Sequence, residues 1–168
     1  LLDSRNYVPV MALDEGFMAV ENNPLTGGTL AFIGVAEKGY VTFNVTANAE
    51  GGHSSTPPRN SSTVRLARAL VELDENQMPS DMSYPLVKNL FQSSGADMPF
   101  LQRMAFANQW MFGGVLESML SAEPAANAMI RTTTAPTMLT GSAKENVLAQ
   151  RATAVVNFRI HPKDTEDD

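Results

Sequence analysis

Two histidines, a pair of adjacent acids behind an apolar run and no cysteine set the limits of the chemistry this chain can carry. His53 sits in Gly51-Gly52-His53-Ser54-Ser55-Thr56-Pro57-Pro58. The glycines permit backbone angles closed to other residues and the prolines stiffen the exit, so the imidazole is presented on a shaped loop instead of lying in a core. A histidine held that way is a candidate catalytic group, and the plain alternative is that it caps or packs its own turn. Asp14 and Glu15 follow the apolar run Tyr7 to Leu13, where a buried strand would deliver carboxylates at its C-terminal end. Carboxylate oxygen is a good ligand for zinc or another divalent ion, although neighbouring acids at a strand end are most often a solvated turn. His161, between Ile160 and Pro162, reads as structural. There is no pair of histidines at metal-binding spacing, no Gly-x-Ser-x-Gly elbow and no phosphate loop. Zero cysteines remove disulfides, thiolate nucleophiles and thiolate ligands together.

The elements that must position these groups are legible from periodicity. Residues 41–49 alternate Val41, Phe43, Val45, Ala47 and Ala49 against Thr42, Asn44, Thr46 and Asn48, the pattern of a half-buried strand ending just before the His53 loop. Leu30 to Ala36 reads as a shorter strand. A helix is expected from about Ser61 to Asp74, with Asn60, Ser61 or Ser62 as its cap and Leu66, Leu70 and Leu73 among its apolar stripe. Val64, Ala67 and Val71 extend that stripe.

Residues 79–126 change character: Pro79, Pro85, Pro99 and Pro124 punctuate helical pieces near Tyr84 to Gln92, Met98 to Ala107 and Val115 to Ser121. Met104, Phe106, Trp110, Met111 and Phe112 could line an apolar substrate pocket, but such clusters are more often core. Ala128 to Leu139 and Ala152 to Ile160 both alternate as strands, and Gly141 with Ala143 to Asn146 connects them. An incipient helix is expected at Asp164. The order matches the opening of a split βαβ domain.

With 43% hydrophobic and 18% charged residues among 168, the chain can bury a core and is not disordered. A net charge of −6 with no basic cluster argues against nucleic acid as a partner. No apolar run reaches the roughly 18 residues that would cross a membrane. The chain begins without Met and ends on Thr165-Glu166-Asp167-Asp168, so it is expected to be a piece of a longer protein.

Five runs occur in order: Leu13-Asp14-Glu15-Gly16, Val35-Ala36-Glu37-Lys38-Gly39-Tyr40, Gly52-His53-Ser54-Ser55-Thr56-Pro57-Pro58, Met129-Ile130-Arg131-Thr132-Thr133-Thr134 and Asn157-Phe158-Arg159-Ile160-His161-Pro162. Together they resemble the co-catalytic zinc metallopeptidase family that contains aminoacylase, acetylornithine deacetylase and carboxypeptidase S, with the last two runs most similar to the carboxypeptidase S-like branch. The resemblance implies a zinc-binding catalytic domain interrupted by an inserted lid, or dimerisation, domain. Residues 1–36 would be a piece of the catalytic domain and linker, and 37–168 the lid, with 79–126 a helical insertion. The implied fold is α+β, ferredoxin-like with an antiparallel sheet, cut before its second helix and last strand.

In such an enzyme two zinc ions share a bridging carboxylate and water, and a glutamate generates the attacking hydroxide. Those motifs lie outside this chain. Only a late carboxylate ligand is implied here, on Glu15 first and Asp14 second, so the chain alone is expected to hold no zinc and to be inactive. The resemblance makes His53 the lid histidine that reaches an active site across a dimer interface and stabilises the oxyanion of a tetrahedral intermediate, worth about 3 kcal/mol. Asn146 and Arg159 match lid positions that contact substrate, Arg159 being suited to a free carboxylate. Their plain alternatives are a turn cap and a surface ion pair. The implied partners are a peptide or N-acyl amino acid substrate and a second copy of the chain, with neither nucleic acid nor membrane. The rival reading is a non-catalytic dimerisation or binding module that keeps the lid fold.

Overall fold

A computed structural model of the chain describes residues 4, 8, 10, 19–23 and 26–167. Asp14 and Glu15 lie outside the described residues. In chain order, β1 (Ala19–Val20) and β2 (Leu30–Ala31) form a minimal antiparallel pair. Then come β3 (Gly39–Asn48), β4 (Gly52–His53) and α1 (Ser62–Glu75). Four helices follow, α2 (Pro85–Ser94), α3 (Phe100–Ala107), α4 (Gln109–Ala122) and α5 (Pro124–Ile130), and the strands β5 (Thr133–Thr140), β6 (Val147–Leu148) and β7 (Arg151–Ile160) close the domain.

The main sheet has the order β3-β7-β5, with β7 antiparallel to both neighbours. β3 and β5 therefore run parallel with β7 inserted between them, which is the split βαβ arrangement of an α+β domain. The alternation of β7 places Ala152, Ala154 and Val156 against Leu66 of α1, with Val45, Ala47, Leu70, Leu73 and Phe158 around them. Val64 and Val71 of α1 remain exposed, so the buried stripe is narrower than the sequence suggests. The opposite face is polar: the Thr46 and Thr153 hydroxyls are 3.3 Å apart, and the Asn157 amide donates to Thr42 Oγ1 at 3.1 Å. β5 is an edge strand, where Pro136 costs no ladder bond, and the register shifts between Pro136 and Met138.

The helices form a second core from Val87, Phe91, Met98, Leu120 and Ile130. Phe106 joins it by stacking on Phe91 with ring centroids 4.2 Å apart, whereas Trp110 is 84% exposed. The methionine and aromatic cluster is thus divided between core and surface.

Three sequence expectations are corrected. Residues 128–130 are the end of α5, not the start of a strand: Pro124 at the first turn favours helix, and Ile130, fully buried in the helical core, holds it. The strand begins at Thr133. The strand expected over Leu30 to Ala36 is paired only at Leu30 and Ala31. The helix expected at Asp164 is replaced by turns, because the Asp164 N–H donates to the His161 carbonyl at 2.8 Å and its carboxylate accepts from the Thr132 hydroxyl.

A polar clamp joins the two cores. Lys38 Nζ donates to the carbonyls of Ala128 (3.0 Å) and Arg131 (2.9 Å) and to Thr133 Oγ1 (3.2 Å), placing a cation at the C-terminus of α5. Burial, followed by the nearby Arg159 charge, lowers the Lys38 pKa to about 8. Arg131 donates to Met78 O (3.1 Å) and Ser121 Oγ (2.6 Å) and pairs with Glu117 at 3.4 Å. His161, 3% exposed, meets the Tyr84 ring edge-on at 4.8 Å and accepts the Lys163 N–H on Nδ1 at 3.4 Å. Lys163 pairs with Asp81 at 3.0 Å.

Replacing Ile130 with Ala should cost about 3 kcal/mol of unfolding free energy, read from denaturant titration. A loss within about 0.5 kcal/mol would show that the helical core does not support the domain. Burial holds the His161 pKa below its ordinary 6.5, with Lys38 acting in the same direction and Asp164, Asp81 and the Met129 backbone opposing. The unfolded chain therefore binds the proton more readily. The stability this gives is complete above about pH 6.5 and is lost as pH falls through the folded value. Unfolding measured at about pH 7.5 and about pH 5.5 should show that loss, and His161→Gln should flatten it. An equal slope in both proteins would contradict the assignment.

Candidate functional site

His53 is not in a simple turn but in β4, which pairs with β6 through Gly52↔Leu148 and His53↔Val147. One residue further, the Ser54 N–H donates to the Asn146 carbonyl at 3.0 Å. This ribbon prolongs the β3–β7 pair, whose ladder continues past Asn48↔Arg151 to a bond from the Ala49 N–H to the Gln150 carbonyl at 2.9 Å. Between Asn48↔Arg151 and Gly52↔Leu148 one strand supplies residues 49–51 and the other only 149 and 150. One extra residue makes a bulge, and a bulge bends and twists a strand so that the next side chains are re-aimed. Gly51 is required there by close approach: a Cβ would lie 2.7 Å from Gln150 Cγ and 3.1 Å from the Leu148 carbonyl oxygen.

The His53 ring is exposed, and its hydrogen bonding is one-sided. The Ser55 N–H donates to Nδ1 at 3.2 Å, and Ser55 Oγ lies 2.9 Å from the same nitrogen. A backbone N–H cannot accept, so Nδ1 is the acceptor and the proton of the neutral ring sits on Nε2. Such a neutral ring presents a donor at its outer edge. Ser55 is a residue the sequence reading did not single out. Its signal was present: a serine two residues after a loop side chain commonly closes a local backbone turn.

Asn146 lies opposite Ser54 across the ribbon, exposed, with its carbonyl engaged by the Ser54 N–H. The structure thus places Asn146 one ladder position from His53 on the same ribbon, with Val147 directly opposite the histidine. It does not bring Arg159 to them. Arg159 is eight residues along β7 from Arg151, about 26 Å of strand away from the ribbon end. Its guanidinium lies over the Tyr40 ring, 4.8 Å from the centroid, a cation–π contact where a surface ion pair was the plain expectation. Behind the ribbon lies an open groove of about 420 Å³ lined by Gly51, Gly52, Gly141, Ser142, Leu148 and Arg151 among others. Among the described residues no group of three His, Cys, Asp or Glu could hold a metal ion. What these residues can do is donate hydrogen bonds at one pole of the domain and offer a positive charge at the other.

Comparison with known proteins gives the frame for this arrangement. Residues 35–168 match the family model described as the peptidase dimerisation domain. The chain is 38% identical over 171 residues to the N-fatty-acyl-amino acid synthase/hydrolase PM20D1.1 of Danio rerio, covering 98% of this chain and 32% of that protein. It is 36% identical over 166 residues to the human N-fatty-acyl-amino acid synthase/hydrolase PM20D1, covering 98% and 33%. It is 34% identical over 139 residues to the probable carboxypeptidase S-like 2 of Dictyostelium discoideum, covering 83% and 26%. The chain therefore spans about a third of the length of the PM20D1 relatives, and by the match over residues 35–168 it belongs to the peptidase dimerisation domain family.

Proposed function

We propose that this domain is the lid of a zinc-dependent carboxypeptidase or N-acyl-amino-acid amidohydrolase, and that it supplies His53 as the donor to the oxyanion formed when the amide carbonyl is attacked. The observation that carries this reading is the Ser55 N–H on His53 Nδ1, which leaves Nε2–H as the outward donor. Asn146, one ribbon position away, adds an amide to the same pole, and Arg159 offers a planar fork for a substrate carboxylate. The relatives' names, hydrolases of N-fatty-acyl amino acids and carboxypeptidases, agree with a substrate that ends in a free carboxylate. Zinc is implied by the family for the whole enzyme, and the described residues do not form a site for it. The chemistry assigned to this domain is accordingly hydrogen bonding and charge recognition.

A second copy of the chain resolves the distance between the two poles. His53 and Asn146 of one protomer would meet Arg159 of its partner, so that neither chain completes the substrate site by itself. The exposed edge of β5, with Met138 and Leu139, and the exposed Val64 and Val71 of α1 support pairing through that strand and that helix.

In the full-length enzyme His53→Ala should lower kcat by about 100-fold with zinc content unchanged. Long-range 1H–15N NMR of this chain should show His53 protonated on Nε2. Normal turnover, or a ring protonated on Nδ1, would sink the donor role. Light scattering should give about twice the 18.1 kDa chain mass, and Leu139→Lys at the edge of β5 should shift the population to monomer. A strictly monomeric profile at high concentration would count against the dimer.

A further inference from the structure

We propose that Arg65, in the first turn of α1, is the positioning residue of the His53 ribbon. Its guanidinium joins the two stems of the loop that carries His53. Nε donates to the Asn60 carbonyl at 2.9 Å, on the side where the loop returns to the helix, and Nη1 donates to the Asn48 carbonyl at 3.2 Å, where β3 ends. Residues 49–59, with the bulge and the histidine, are closed by this single planar group. Asn60 is itself fixed: it adopts a left-handed backbone with φ of 65°, and its side-chain oxygen accepts from Arg68 Nη1 at 2.7 Å.

The same helical turn holds the other arm of the ribbon. Ser62, fully buried, donates its hydroxyl to the Ala149 carbonyl at 2.6 Å, and Ala149 belongs to the pair of residues facing the bulge. The start of α1 thus grips both strands, one through Arg65 and one through Ser62. A two-residue ladder with exposed ends has little stability of its own, and a tether at its base removes the freedom that would let it swing.

An arginine on an exposed helix face ordinarily does no more than keep the helix soluble. Two features separate Arg65 from that default. Both of its acceptors are main-chain carbonyls outside the helical body, and they need two nitrogens in a fixed fork, which a lysine cannot supply. Arg and Lys have nearly equal helix propensity, so their exchange leaves α1 intact while removing the fork.

The inference rests on the reading of His53 as the functional residue of the ribbon, but its test does not depend on turnover. Amide exchange of this chain is measured for Arg65→Lys and Arg65→Ala alongside the unsubstituted protein. The Ser54 N–H should exchange about tenfold faster in both variants, with the amides of β3 and β7 unchanged. The 15N resonances of the His53 ring should move toward a mixture of tautomers as Ser55 loosens. Local loss in both variants supports the assignment. Unchanged Ser54 exchange, full rescue by lysine, or uniform loosening of the whole sheet would each overturn it, whatever His53→Ala does to the enzyme.

Discussion

The domain depends on the pairing of β3 with β7, a continuous antiparallel register from Gly39↔Ile160 to Asn48↔Arg151. This ladder is the full length of both strands. Its inner face forms the floor on which α1 packs, and its length sets the separation between the His53 ribbon and Arg159. At the Asn48↔Arg151 end it runs out through a bulge into the His53 ribbon. At the Gly39↔Ile160 end it delivers Lys38 on one strand and His161 on the other, each one residue beyond the last pair. A slip of one residue would turn Ala152, Ala154 and Val156 away from α1 and would exchange Arg159 with a core position. The hydrophobic pattern therefore fixes the register and, with it, the face on which Arg159 lies.

The second core is attached to this ladder by polar contacts. Lys38 reaches the last carbonyls of α5, Thr132 accepts the His161 N–H at 2.8 Å, and Lys163 answers Asp81 of the segment before α2. A half-buried lysine at a helix C-terminus carries an opposing pair of effects. Its three hydrogen bonds favour the cation, while desolvation and Arg159 favour the neutral amine and prevail in the lowered pKa. Such a contact specifies orientation better than it adds stability.

β3, β7 and α1 were legible because each has a period that sets one face against the core. Leu66, Val45 and Ala154 announce their side by spacing alone. The boundary at Ile130 was not legible. Ile130, Arg131 and Thr132 are all buried, one in the helical core and two in the clamp, so no change of burial marks where the helix ends and the strand begins. β4 and β6 were missed for a different reason: two-residue strands carry no period, and their pairing follows from the course of β3 and β7 into the bulge. That the His53 and Asn146 segments lie on one ribbon could not be read from spacing, since 92 residues stand between them. The distance of Arg159 from both could be known only once β7 was seen to span the sheet.

Trp110 is the single tryptophan of the chain, and it stands on the surface of α4, away from both cores. An indole already in water emits at long wavelength in the folded state, so unfolding changes its emission little. Intrinsic fluorescence is therefore nearly blind to the melting of this domain. The same indole becomes a sensitive optical gauge of the α4 surface, because any second surface that covers it shifts its emission to the blue while the fold stays as it is.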